Sequence, residues 1–258
     1  MSSGWLSDAE KHEASNSKSL TWSVRRNGKG VLHTTEGTGW TSYDNWTKTP
    51  HVTVMPHAGK GVEIHQHISM DYAGRALKHT QTTETNRLFA FQAELIGTSD
   101  KKGPGYYWPD ADDEVLWDLW RKLIVPVSRY MDFPTESSVN WKAYPASYGT
   151  DNGVRLRNGH WTEYTGWLGH QHVPQNVHGD PGDFPWDKMK RIAEERTPEV
   201  ITEKDIDKIA EAVAKKVLTM DGVIAAPTTA PDADKNAHWQ MRSVLNDIQN
   251  RVRKLTGN

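Results

Sequence analysis

Residues 169–182 read GHQHVPQNVHGDPG: three histidines and an aspartate within fourteen positions, set among the turn formers Gly and Pro. Imidazole and carboxylate are the donors a catalytic metal ion takes where thiols are absent, and this chain has no cysteine. A hydrolytic zinc ion needs about three such protein ligands and keeps a further position for water. The loop offers His170, His172, His178 and Asp180. Ligands close in sequence usually supply only part of such a site, and a rigid strand often supplies another. His33, which closes the apolar run Val31-Leu32 and precedes the turn Thr34-Thr35-Glu36-Gly37, is placed for that role. Taken singly, each histidine more often reads as a hydrogen-bonded core or surface residue than as a ligand, and Asp180 also reads as a turn former before Pro-Gly. Their sum points to metal-assisted chemistry.

These groups need elements to hold them. Strand candidates are Gly30–His33, His51–Met55, Gly61–Ile68 and Phe89–Ile96, the last two alternating apolar and polar residues in part. Glu94 falls inside the last of these, among mostly apolar neighbours, where a carboxylate is costly unless paired, solvated or neutralised. Residues 70–86 read as a loop or short helix, broken at Tyr72-Ala73-Gly74. Along Asp112–Met131, Val115, Leu116, Leu119, Leu123 and Val127 recur at helical spacing behind an acidic start, and Pro126 is expected to kink or end that helix. A further helix is expected over Asp187–Glu195. Strands interleaved with helices indicate an α/β domain over residues 1–195.

The remainder differs in texture. A helix is expected over Thr202–Met220 within the span 196–222, with Thr202 and Asp205 as a capping box and Ile201 and Ile206 as a staple. Ile206, Ile209, Ala210, Val213 and Val217 form its apolar stripe. Residues 223–235 include the Pro/Ala/Thr linker Ala225–Asp234, which cannot build a core. The last segment, 236–258, carries a helix with Met241, Leu245, Ile248, Val252 and Leu255 as a short heptad seam. No tandem repeat is visible there.

Composition narrows the partners. A net charge of −2 over 258 residues gives no basic field for nucleic acid. No apolar run approaches the ~18–20 residues that span a bilayer, so no membrane insertion is expected. The polar N-terminus lacks a signal-peptide core, which points to synthesis as a soluble cytoplasmic product. The 12 tryptophans serve either packing or stacking on sugar rings.

Taken together, VLHTTEG, FQAELIG and GHQHVPQNVHGDPG resemble the zinc-dependent N-acetylmuramoyl-L-alanine amidases, the family of amidase-type phage lysozymes and peptidoglycan recognition proteins. Its members carry a strand-borne His near the start and a late Gly-His. A basic group follows eight residues on, and a last ligand, Asp or Cys, ten residues on. Here those positions are His33, His170, His178 and Asp180, with Pro181-Gly182 completing the turn. The likeness covers about residues 20–190, and GHQHVP with HGDPG is most similar to endolysins of phages that infect actinobacteria.

The resemblance implies a mixed central β-sheet flanked by helices, with a helical C-terminal extension. It makes His33, His170 and Asp180 the ligands of one zinc ion. Glu94 becomes the general base, which later passes its proton to the leaving amine. His178 takes the place where many relatives have Lys, as a donor to the developing oxyanion; the change leaves the pH optimum open. His172 falls where relatives often have Asp and reads as cleft lining. Pro50 precedes His51, so the tyrosine that some relatives carry there is missing. His51 and His79 stay ambiguous, while His12, His57, His65, His67 and His160 read as ordinary. Thr34, Thr35, Trp40, Asn86 and Trp167 are candidate substrate contacts.

The activity implied is hydrolysis of the amide between N-acetylmuramic acid and L-alanine in bacterial peptidoglycan, causing host lysis after a holin opens the membrane. The alternatives are a peptidoglycan-binding module without catalysis and a phage structural protein carrying an accessory amidase domain. In the tail, Arg242, Arg251, Arg253 and Lys254 outnumber Asp247, which suits wall contact, and the seam suits self-association.

Overall fold

Valine, leucine and phenylalanine at alternate positions give the chain strands that can bury a side chain on each face, and the sheet they build organises everything else. The computed structural model describes residues 4–78, 84–197, 203–219, 224–225 and 238–256. They divide into two units, 1–197 and 198–258.

In the first unit six strands form one sheet: β1 (Glu10–Lys11), β2 (Lys29–Thr34), β3 (Val52–His57), β4 (Gly61–Gln66), β5 (Ala90–Leu95) and β6 (Gly166–Gly169), in the order β1-β4-β3-β5-β2-β6. Strands β3, β5, β2 and β6 run parallel; β4 is antiparallel to β3, and β1 is parallel to β4. The sheet is mixed and helices flank it. The four expected strands are all present, within a few residues of their expected ends. β1 and β6 were not expected, because EK and GWLG are too short to show a period.

The pleat sorts side chains between two faces. Leu32, Val52, Val54, Phe91, Ala93 and Leu95 share the larger core. That core also takes Val115, Leu116 and Leu119 of α1 (Asp113–Leu119), Leu123, and Val127 of α2 (Val125–Met131). Each such side chain contributes about 1.5–3 kcal/mol when fully buried. The other face is smaller: Val31, Ala90 and Leu168 pack with Leu77, Val173 and Trp161 of α3 (Asn158–Glu163).

Pro126 does not end the helix. Asp112 caps α1 by accepting from the Val115 N–H at 3.1 Å, and the chain then passes through a π turn, Trp120–Ile124, directly into α2. A proline lacks the N–H and crowds the carbonyl one turn back, and the widened turn just before it absorbs that mismatch. Helix α4 (Trp186–Arg196) closes the unit and adds Trp186, Met189 and Ile192 to the larger core. Gly30 is required by contact: a Cβ there would lie 2.3 Å from the buried Trp167 ring. Residues 70–78 and 84–86 form loop; residues 79–83, His79 among them, lie outside the described residues.

The second unit contains α5 (Glu203–Thr219), a short antiparallel pair of β7 (Ile224–Ala225) with β8 (His238–Trp239), and α6 (Met241–Thr256). Ile209, Val213, Val217, Leu245, Ile248 and Val252 remain exposed. Ile201, Thr202 and most of the linker Ala225–Asp234 lie outside the described residues, as do the side chains of Asp205 and Ile206, and with them the expected cap and staple. Among those described, no helix is long and apolar enough to cross a membrane.

Candidate metal centre

The parallel strands bring their carboxyl ends to one edge, where α/β sheets commonly leave a crevice for ligands. His33 pairs in register with Glu94 on β5, and Glu94 with Thr53 on β3. Registered neighbours share a face, so Thr53, Glu94 and His33 project together on the side of the smaller core. On the other flank of β2, Leu32 pairs with Gly169, and His170 follows at the end of β6. A strand end thus supplies His33, Glu94 and His170 without any loop having to aim them.

Asp180 comes from the loop, and half-buried Arg155 with buried Gln171 and Asn176 hold that loop. The Arg155 guanidinium donates to the carbonyls of Gly149 at 2.7 Å, Val173 at 2.8 Å and His178 at 3.0 Å. Gln171 donates to the Gly182 carbonyl at 2.6 Å and accepts from the Lys142 N–H at 3.0 Å. Asn176 accepts from the N–H groups of Val177 and His178 at 2.7 and 2.9 Å, and its amide also lies against Nε2 of His170. The Gly182 N–H closes the turn onto the Gly179 carbonyl at 3.1 Å, with Gly182 at φ +73°, where a side chain would be strained. The turn aims Asp180, whose Oδ2 accepts from the Thr34 N–H at 3.1 Å.

The result is a buried triad. Nδ1 of His33 and Nδ1 of His170 lie 3.1 Å apart. His170 Nδ1 is 3.2 Å from Asp180 Oδ1, and His33 Nδ1 is 3.8 Å from Asp180 Oδ2. Donors held at about 2.0–2.1 Å from a tetrahedral zinc ion sit about 3.3 Å from one another, so the triad has the dimensions of a metal site. Its charge state agrees. Burial, helped by His170, pushes His33 well below the ordinary imidazole range, so it is a neutral ligand. Burial alone would raise Asp180, but His170, His33 and the Thr34 N–H outweigh it and hold the carboxyl at about 2, ionised at any working pH.

Glu94 Oε1 lies 3.8 Å from His33 Nδ1, and burial, with the charges of Asp180 and Glu36, pushes its carboxyl up to about 8. Above the triad opens a cleft of about 440 Å³, lined by Thr34, Thr35, Glu36, Tyr43, Glu94 and His178 among others. The His178 ring stacks on His170 with centroids 4.8 Å apart.

Of the residues expected here, His33, Thr34, Thr35, Glu94, His170, His178 and Asp180 come together at the cleft. The others do not line it. Trp167 is in the larger core, donating to Ser128 Oγ at 2.9 Å. Asn86 is buried against Leu77 and Gln92. His172 is buried, its Nε2 3.0 Å from the Asn140 carbonyl oxygen. Trp40 stacks on His65. His51 is a structural residue: its Nδ1 accepts from the Gln92 N–H at 3.0 Å and its Nε2 lies 2.9 Å from the Tyr72 carbonyl.

Two cleft groups had no signal in the sequence. Tyr43 puts its hydroxyl 2.5 Å from Thr53 Oγ1, beside Glu94. It supplies a phenol although residue 50 is proline. Glu36 accepts from Thr34 Oγ1 at 2.6 Å, Thr98 Oγ1 at 2.8 Å and Ser99 Oγ at 2.9 Å, and so braces the rim.

No protein-family model matches the chain, and no curated protein does. Solved structures overlap with it, two of them as follows. One is the Staphylococcus aureus hydrolase AmiA in complex with its ligand, at 13% identity and TM-score 0.46, covering 80% of this chain and 87% of that one. The other is a selenomethionine AmpD derivative, at 16% identity and TM-score 0.43, covering 74% and 98%. With identities this low and TM-scores below 0.5, neither speaks to the chemistry of this chain.

Proposed function

We propose that this chain is a zinc-dependent peptidoglycan amidase that cleaves the amide between N-acetylmuramic acid and L-alanine. The observation that carries the reading is the buried His33, His170 and Asp180 triad with Glu94 beside it, at the floor of an open cleft. The family resemblance of the three sequence motifs supplies the substrate class.

His33, His170 and Asp180 would hold the ion. When bound, it supplies Lewis acidity toward water and the scissile carbonyl, and its charge draws Glu94 back down toward ionisation. Glu94 takes the proton from the attacking water and delivers it to the departing amine. Burial, with His170, holds the His178 imidazole below its ordinary range, so it donates to the oxyanion as a neutral ring. The Thr34 N–H, donating to Asp180 Oδ2, orients the carboxylate ligand.

The finer reading is an endolysin of an actinobacterial phage, made in the host cytoplasm and reaching the wall once a holin has opened the membrane. The motif variants GHQHVP and HGDPG support it. Purified chain is expected to release N-terminal L-alanine amines from cell walls, to lose that activity to a chelator and to regain it with Zn2+. Wall binding without amine release, in protein shown to contain zinc, would leave a binding module instead.

A further inference from the structure

We propose that Thr53 and His67 are positioning residues that set the hydrogen-bond polarity of Tyr43, so that its phenol oxygen accepts the N–H of the amide to be cut. The identity of that N–H rests on the function proposed above; the polarity itself does not.

The chain of bonds starts at a carbonyl, which can only accept. Nδ1 of His67 lies 3.2 Å from the His12 carbonyl oxygen, so Nδ1 carries a proton. His67 is buried, and burial pushes its imidazole down to about 4, so near neutral pH the ring holds one proton only. Nε2 is therefore a bare acceptor. It lies 2.8 Å from Thr53 Oγ1, and the Thr53 hydroxyl must donate to it. A hydroxyl has a single proton, so toward Tyr43, 2.5 Å away, Thr53 Oγ1 can only accept. The Tyr43 O–H is thereby committed to Thr53. Burial, with Glu94, pushes the phenol up and keeps that proton in place. Tyr43 lines the cleft, and what it has left for a ligand there is lone pairs alone.

The backbone is bent to achieve this placement. Tyr43, Asp44, Asn45 and Trp46 follow one another at φ +47°, +59°, +52° and +69°, a left-handed turn that residues with side chains rarely adopt in a run. The Trp46 N–H donates to the Ser42 carbonyl at 2.8 Å, and the Asn16 amide and Thr49 hydroxyl donate to the Trp46 carbonyl at 2.7 and 2.6 Å. The rings of Tyr43 and Trp46 pack against His67, with centroids 5.8 and 5.2 Å away. Such strain persists where surrounding contacts over-determine it, and it clusters at working sites.

Strand order gives the acceptor its side. In the order β3-β5-β2-β6, Thr53, Glu94, His33 and His170 form a row along one edge, with Tyr43 on Thr53. Tyr43 therefore stands on the flank of Glu94 away from the triad. In a planar trans amide the C=O and N–H point in opposite directions. An amide whose carbonyl turns to the triad thus turns its N–H toward Tyr43. Accepting that N–H holds the scissile nitrogen beside Glu94, which protonates it as the peptide leaves.

The polarity can be read without turnover. Nitrogen NMR of the full-length chain at neutral pH should show His67 as the Nδ1–H tautomer, with an Nε2 whose hydrogen bond is lost in Thr53→Val. The Nε2–H tautomer would overturn the polarity. On a soluble muramoyl peptide, Tyr43→Phe and Thr53→Val should each raise KM about tenfold, with kcat within about twofold and zinc content at the parent value. Their double variant should be no worse than either, and Thr53→Ser, which keeps the hydroxyl, should recover the parent KM. A fall in kcat at unchanged KM in Tyr43→Phe would make the phenol a donor to the reaction and overturn its role as acceptor. In a Glu94→Gln background, calorimetry compares the muramoyl peptide with its N-methyl-L-alanine form, which lacks the N–H. The methylated form should bind about tenfold more weakly, and adding Tyr43→Phe should abolish that difference. A difference that survives Tyr43→Phe would place the N–H elsewhere. A chain that shows the Nδ1–H tautomer but cuts no amide would count against the proposed function and leave the polarity standing.

Discussion

Two sets of histidine and carboxylate donors lie on one face of the sheet toward its opposite edges, and they differ mainly in how much water reaches them. His33, His170 and Asp180 are buried, at 1, 7 and 3% exposure, whereas Glu10 is exposed and His12 and His65 are only half-buried. Burial makes the central set chemically useful. It forces His33 neutral, leaves one ionised carboxylate and places a protonatable Glu94 at the same floor. The edge set pairs its histidines with Glu10 and Glu63 in the open, and its two rings stack 3.9 Å apart instead of turning their nitrogens toward one point. Identical side-chain types thus acquire different roles from desolvation and from what stands beside them.

The contrast can be broken, most sharply at Asp180. Asp180→Ala removes the only anion of the central triad; kcat/KM for wall-amide release is expected to fall by about 10³-fold or more, with one zinc equivalent lost. His65→Ala should keep the parent zinc content and hold kcat/KM within about twofold. Equal damage from both substitutions would erase the distinction between a buried reacting centre and an exposed pairing cluster. Glu94→Gln sharpens it from the other side: zinc content stays at the parent value while kcat falls about 10²–10⁴-fold, the range for removing a general base.

The two ends of β2 extend the comparison to stability, since both carry a buried titratable group. At the start of the strand, Lys29 reaches the carbonyls of Asn27 and Leu88 at 2.7 and 3.2 Å, and burial pushes it down to about 8. Below about pH 8 the folded and unfolded chains are both protonated, so the fold bears the full cost of the buried charge. Between about 8 and the ordinary 10.5 the fold sheds its proton first, and stability rises with pH. Denaturant melts should show the parent gaining up to about 3 kcal/mol over that window relative to Lys29→Met. A flat difference would mean that Lys29 is solvated in the native state. Arg155→Met is expected to cost about 2 kcal/mol and to weaken zinc binding at the central triad about tenfold.

How much of this is legible in the chain depends on how local each determinant is. His33, Glu94 and the donor loop stand out because a polar group at the end of or within an apolar run and a dense cluster of donors are local patterns; the choice of His170 and Asp180 over His172 and His178 as ligands comes from the family resemblance. The long helix before Met131 is equally plain from its apolar spacing, but its passage through Pro126 is not, since a π turn costs little and leaves no residue signature. Trp167 and Asn86 sit close to the matched motifs in sequence, yet the pleat turns Trp167 into the larger core and Leu77 and Gln92 enclose Asn86. Tyr43 and Glu36 join the cleft only because the loop after β2 folds back over it.

The sequence by itself determined the donor chemistry: thiols are excluded, and imidazole and carboxylate stand at spacings that suit one metal centre. It also determined the strands that carry two of those groups, because period-two burial is written residue by residue. Tertiary structure alone decided which donors meet. Glu10 and His65 become neighbours through a parallel pairing across 55 positions, and His33 meets Asp180 across nearly 150, by register and by an arginine-clamped turn. Contacts between residues so distant in the chain follow from how strands stack and how the intervening loops close, and no local pattern encodes them.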